Sequence, residues 1–285
     1  MEVAGDEAEM AEFAFGELGS LGSIEEDAAD PGRKRITAFF ASSGFDRERL
    51  RDLVSDYFSK VPGLADAWIE VDLEPARDWN ERWHRFFKPF HIAADFVVVP
   101  SWEKYEAKEG EAIIHIDPGT AFGTGLHETT RLCAEALIEE SAQAASLLDI
   151  GTGSGILAIV GKRLGIGEIV GVEIDPEALC VAEENLRKNG CGSIALTQSL
   201  ESVDRKFDSV VANILLSTLI DLSETIAERV APGGTLILSG IMHDQEAEIL
   251  DEYLPKFAHM RTERRGEWSA IILRRTAVAA PSPDV

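Results

Sequence analysis

In the second half of the chain, short apolar runs alternate with segments whose apolar positions recur every three or four residues. The runs "SLLDI", "EIVGVEI", "SIALTQ", "FDSVVANIL" and "GTLILSG" read as buried strands. Between and after them, helical periodicity predicts helices near 129–141, 155–164, 176–189, 217–230 and 243–254, and "HMRTERR" and "WSAIILRR" close the chain as two further strands. Such alternation predicts an α/β fold: a largely parallel, doubly wound sheet with helices on both faces.

The first 75 residues follow another rhythm. "AEMAEFAFGEL" is one possible helix, and "RKRITAFFAS" is a strand pattern. In "DRERLRDLVSDYFSKV", Leu50, Leu53, Val54, Tyr57 and Phe58 share a helical face behind Asp46 as a cap, and "AWIEVDLE" alternates as a half-buried strand. These elements predict a small α+β module. "DWNERWHRFFKPF", Asp78 to Phe90, reads as an aromatic linker helix stopped by Pro89, in which Trp79 and Trp83 are read as packing residues, with substrate stacking as the alternative. "DFVVVPSW" and "EAIIHIDPG" predict two strands ahead of the Gly/Thr-rich "GTAFGTGLHETT". The boundaries are thus 1–76, a linker at 77–91, a large domain at 92–276 and a tail, 277–285, expected to be disordered.

Composition narrows the function classes. No run approaches the length of a membrane span, and the acidic N-terminus is unlike a secretory signal, so a cytoplasmic protein is expected. Cys133, Cys180 and Cys191 are odd in number and form no C-x-x-C pair, which argues against disulfides and metal. A formal charge of −24 disfavours nucleic acid and favours cationic partners, although an acidic surface also serves solubility alone.

The chemistry centres on "LLDIGTGSGILAI", where Asp149 precedes Gly151, Gly153 and Gly155. A dinucleotide turn places a third glycine where this chain has Ile156, because a pyrophosphate must sit on the helix N-terminus. The form with an opening acid suits S-adenosylmethionine (SAM) instead: bare glycines admit the nucleoside, and the carboxylate faces the cationic methionyl end. At the end of the next strand, Glu173 is placed to accept ribose hydroxyls, and Asp175 caps the helix starting at Pro176.

Three further segments, "DPGTAFGTGLHETT", "VVANILLSTL" and "PGGTLILSGI", join these in colinear order from Asp78 to Ile241 and resemble the PrmA family. That resemblance implies a class I, Rossmann-like SAM methyltransferase that methylates the N-terminal α-amine and lysine ε-amines of large-subunit ribosomal protein eleven. It also implies a ferredoxin-like N-terminal domain for substrate recognition. By motif, the family's SAM-binding positions fall on Thr130, Gly151, Glu173 and Asn213. Glu173 stands where relatives usually carry aspartate, and Thr152 where a cysteine is common, a change expected to have little consequence. The opening "MEVAGDEAE" is too acidic for the apolar first strand of relatives, and the following hairpin looks compressed.

Methyl transfer to nitrogen needs a neutral amine aimed at the methyl carbon. Asn213, at a strand end, is the candidate acceptor for the amine N–H, with helix capping as its alternative. His127 is the titratable loop group suited to take a lysine proton, with a structural hydrogen bond as its alternative. The "GTAFGTG" loop is expected to fold over SAM as a lid through Phe122, Gly123 and Thr124. Two other readings remain: methylation of another protein amine or an exocyclic base amine, against which "NILL" and the net charge argue, and a SAM-binding regulatory module without turnover.

Overall fold

Ser146 to Ile150 is buried along its whole length, as a central strand covered on both faces must be. The structure containing it is a computed structural model that describes residues 1–276 apart from 19, 21, 29, 31, 41–46, 62, 65–66, 73–86, 118–124 and 142. Asp46, Trp79, Trp83, Phe122, Gly123, Thr124, most of the linker and the tail lie outside the described residues. The chain divides into two units, Met1–Arg82 and Trp83–Val285.

In the first unit, β1 (Glu2–Ala4), α1 (Ala8–Glu17), β2 (Gly22–Asp27), β3 (Arg33–Phe39) and α2 (Arg47–Phe58) follow in order. The strands form an antiparallel sheet, β1-β3-β2, over a core of Val3, Ala11, Phe15, Ile36, Val54 and Phe58. The acidic opening does form a strand, contrary to its composition. Glu2 pairs with Arg35 across the ladder at 2.7 Å, and its carbonyl accepts a hydrogen bond from Arg33. Opposite charges on the neighbouring strand thus offset the like charges that discourage a strand. β2, which the sequence reading passed over, is held likewise, with Asp27 2.9 Å from Lys34. The predicted strand "AWIEVDLE" is not one over its described residues, 67–72: Ala67 and Ile69 pack on the core, but no ladder forms. Burial alternation alone does not supply strand hydrogen bonds.

The second unit opens with β4 (Phe90–Ala93), β5 (Phe96–Val99) and β6 (Ala112–His115), a small sheet in that order. Phe90 therefore starts a strand rather than ending the linker helix, and Phe87–Pro89 has no helical structure. Next come α3 (Glu128–Glu140), β7 (Ser146–Ile150), α4 (Ile156–Arg163), β8 (Glu168–Val172), α5 (Pro176–Lys188), β9 (Ala195–Thr197) and β10 (Phe207–Asn213). They are followed by α6 (Leu216–Asp221), α7 (Ser223–Arg229), β11 (Val230–Met242), α8 (Glu246–Tyr253), β12 (Phe257–Arg265) and β13 (Trp268–Arg275). The single helix predicted at 217–230 is broken at Leu222, and Ser223 donates to Glu252 on α8 at 2.5 Å.

The seven strands run β12-β13-β11-β10-β7-β8-β9, and β13 is antiparallel to both neighbours. The sheet is thus mixed, with the class I methyltransferase strand order. Side-chain alternation divides the core. Leu147, Val211 and Ile237 pack under α3 and α4, whereas Leu148, Val210, Ala212, Leu236 and Leu238 join Leu219, Ile226 and Ile249 of the opposite layer. Asp149, Asn213 and Ser239, each two residues beyond the first set, therefore belong to the α3 face.

Candidate active site

The turn after β7 is built as its glycines require. Gly151, Gly153 and Gly155 have φ of 70°, 52° and 81°, a region L side chains rarely enter. At Gly151 there is also no room, because a Cβ would collide with the γ2-methyl of Ile214. Gly155 caps α4, and a Cβ there would lie 3.6 Å from the Ala182 Cα, so α4 and α5 approach closely.

Asp149 is 1% exposed. Its Oδ2 accepts hydrogen bonds from the Thr152 hydroxyl at 2.6 Å and the Ala158 amide at 3.1 Å. Oδ1 has no partner among the described residues. Burial pushes the carboxyl pKa up to about 6, against these hydrogen bonds and with help from the negative charge of Glu173. Thr152 therefore matters more than its sequence position indicates: its hydroxyl fixes one Asp149 oxygen, a task for which a thiol is a weaker donor.

Glu173 follows β8 and is half-buried. Its Oε2 accepts the Gly153 amide at 2.9 Å and its Oε1 the Asp175 amide at 3.1 Å. The extra methylene that distinguishes it from aspartate lets one carboxylate hold both the glycine turn and the start of the next helix, and each oxygen keeps a second lone pair. Asp175 caps α5 by accepting from the Glu177 amide at 2.9 Å, as predicted.

Over the α3 face, Thr130 is 1% exposed, and its hydroxyl oxygen is also without a partner among the described residues. One turn further along α3, burial pushes the Cys133 thiol pKa up, with help from the Asp149 charge. The helix packs over β10, β11 and β13. Val211 pairs with Asp149 and Asn213 with Ser239, so Asn213 stands one pleat nearer the C-terminal edge on the same face. Asp149 and Asn213 thus share the sheet face over which α3, the helix of Thr130, packs.

His127 is the N-cap of α3. Its Nδ1 accepts from the Thr129 amide at 3.4 Å and lies 2.8 Å from the Thr129 hydroxyl, while the ring meets Trp268 edge-on at 5.0 Å. Burial lowers its pKa, so the ring is neutral at pH 7. Of the Gly/Thr loop, the described end reaches the glycine turn: a Cβ on Gly125 would lie 2.8 Å from the Ile156 Cδ1. Ile156, the residue in place of a third glycine, fills that space.

Sequence reading missed the exposed apolar residues of this edge. Ile174, directly after Glu173, is 82% exposed, and Leu126, Leu215 and Met242 are also exposed. All follow strand ends or precede α3, so topology gathers them where the strands terminate. The signal was an apolar residue at a loop position, which has no periodicity to mark it. At the opposite edge a cleft of about 430 Å³ is lined by Glu140, Asp208, Gly233 and Arg274 among others. Its charges are satisfied: Arg274 donates to Glu140 at 3.0 Å, and Asp208 accepts from the Ala145 and Ser146 amides. Among the described residues, no three His, Cys, Asp or Glu side chains are placed to hold a metal, and no helix is long and apolar enough to cross a membrane.

Comparison with known proteins assigns the chain to a family. A relative from Geotalea daltonii is 41% identical over 89% of this chain and 85% of its own, and one from Pelobacter propionicus is 34% identical over 98% and 97%; both are named ribosomal protein L11 methyltransferase. The crystal structure of a ribosomal protein L11 methylase from Lactobacillus delbrueckii subsp. bulgaricus aligns with a TM-score of 0.64 at 34% identity, covering 67% of this chain and all of that one. The family model described as ribosomal protein L11 methyltransferase (PrmA) matches residues 12–276, and the chain belongs to that family.

Proposed function

We propose that this protein is a cytoplasmic, SAM-dependent methyltransferase acting on the N-terminal α-amine and lysine ε-amines of ribosomal protein L11. The observation that carries the reading is the pair of buried oxygens without a partner among the described residues, Asp149 Oδ1 and Thr130 Oγ1, together with a strand-to-helix turn whose three glycines all have positive φ. Unsatisfied buried polar atoms are costly, by roughly 1–3 kcal/mol each, and a ligand with donors relieves them. SAM fits this set, since its methionyl ammonium is a cationic donor and its nucleoside needs bare backbone.

In this reading Asp149 and Thr130 hold the methionyl end, Gly151, Gly153 and Gly155 admit the nucleoside, Glu173 accepts ribose hydroxyls, and Ile174 is an apolar wall for the base. When bound, SAM supplies a methyl group on a positively charged sulfur, open to attack by a neutral amine. The Asn213 amide oxygen accepts one amine N–H, which aims the nitrogen lone pair without any change in the protonation of Asn213. Leu126, Leu215 and Met242 give the approach an apolar rim, and burial against it lowers the pKa of a lysine amine toward the neutral form.

His127 supports a capping role better than a general-base role. Its Nδ1 already accepts, which leaves the proton of the neutral ring on Nε2. If His127 is the base, His127→Gln moves the pH dependence of turnover; under the capping reading the profile is unchanged. The net charge of −24 favours a basic protein partner. Incubation with labelled SAM and ribosomal protein L11, followed by mass spectrometry, tests the whole reading: label on L11 amines supports it, and label confined to nucleic acid or absent altogether overturns it.

A further inference from the structure

The turn that carries Asn213 is clamped by two glycines from different strands. On one side, the Ile214 side chain lies so close to Gly151 that a Cβ there would collide with its γ2-methyl. On the other, Gly240 has φ of 82°, and a Cβ there would collide with the Ile214 carbonyl oxygen, 2.9 Å from its carbonyl carbon and 3.2 Å from its nitrogen. Ile214 is therefore wedged between the first residue of the glycine turn and the end of β11. Its predecessor Asn213 is the last residue of β10, and its successor Leu215 is 69% exposed.

We propose that Ile214 is a positioning residue that sets the separation between the glycine turn and Asn213. The inference rests on the proposed function, in which those two elements hold the methyl donor and the methyl acceptor. The reason is geometric. The γ2-methyl of a β-branched side chain is fixed relative to its own backbone, so it acts as a rigid spacer between Gly151 and the peptide that follows Asn213. With Gly240 blocking movement the other way, the turn has one seat. In-line transfer requires reacting atoms about 3–3.5 Å apart, and a shift of about 1 Å costs roughly a hundredfold. A spacer at this point acts on turnover more than on binding of either substrate alone.

The test uses Ile214→Val, Ile214→Leu and Ile214→Ala in the full-length protein, with kcat on ribosomal protein L11, the Kd for SAM and Tm measured for each. Valine keeps the γ2-methyl, whereas leucine keeps the side-chain volume but loses that branch. Expected are kcat within about twofold for valine and a loss of tenfold or more for leucine and alanine, with the SAM Kd changed less than about threefold. Leucine with normal kcat overturns the proposal, as does a SAM affinity that falls in step with kcat, or a kcat loss shared equally by valine. A wild-type protein that fails to label L11 but binds SAM overturns the functional reading instead, which separates the two failures.

Discussion

The two edges of the seven-stranded sheet contrast in how their polar groups are satisfied. At the N-terminal edge the 430 Å³ cleft is lined by charges already paired, Arg274 with Glu140 and Asp208 with two amides and the Ser146 hydroxyl. At the C-terminal edge, Asp149 and Thr130 are buried with an oxygen each left over among the described residues, and large apolar side chains stand in solvent. Volume marks one edge and unmet chemistry the other. A protein tolerates buried unpaired oxygens where a ligand completes them, which is why the second edge is the one proposed as functional, and a cleft whose groups are mutually satisfied has little left to offer a ligand.

The sharpest break between the edges comes from Asn213→Ala. Turnover on ribosomal protein L11 falls by about two orders of magnitude, as expected for loss of an orienting contact, while the SAM Kd measured by calorimetry changes less than about threefold. Equal losses in both reduce Asn213 to a cofactor contact.

Asp149→Asn comes next. Its expected effect on SAM is a ten- to hundredfold weaker Kd, from loss of about 1.5–3 kcal/mol of charged hydrogen bonding. Stability moves the opposite way. The Asp149 pKa is raised to about 6 in the folded protein, above its value in an unfolded chain, so the folded state binds a proton more readily. Above pH 6 the buried charge opposes folding, by up to about 3 kcal/mol, and this penalty fades as pH falls from 6 toward 4. The variant without ligand therefore has a higher Tm than wild type at pH 8, and the difference narrows in acid. The same titration weakens SAM binding by wild type, but not by the variant, as pH falls through 6.

At the N-terminal edge the order of effects reverses. Asp208→Ala removes the acceptor for the Ala145 and Ser146 amides and is expected to cost about 1–2 kcal/mol in chemical denaturation with kcat unchanged. Smallest is Arg205→Ala, which breaks an exposed pair with Glu168 at 2.6 Å and is expected to cost under about 1 kcal/mol, less in high salt. A kcat loss in either variant would mean that the two edges are coupled.

Much of this edge was legible in the chain. Glycines at alternate positions after an apolar run declare a strand-to-helix turn with positive φ, and all three adopt it. Asp175 before Pro176 declares a capped helix, and it caps. What escaped sequence reading depends on neighbours distant along the chain. β1 is stabilised by Arg33 and Arg35, some thirty residues away, and Glu173, read as a ribose anchor, spends part of its hydrogen-bonding capacity on the backbone of the glycine turn. The Ile214 wedge had no local sign at all, because an isoleucine after a strand reads as ordinary core.

The sequence by itself determined the βα order of the large unit, the glycine turn and the Asp175 helix cap, because each follows from sterics and hydrogen bonding within a few residues. Tertiary structure alone decided that Asp149 and Asn213 share one face of the sheet, and that Asp149 and Thr130 are buried with an oxygen to spare among the described residues. The physical reason is that an unsatisfied group is defined by everything that surrounds it. Strand register and the seating of α3 fix those surroundings, and neither is a property of any short stretch of chain.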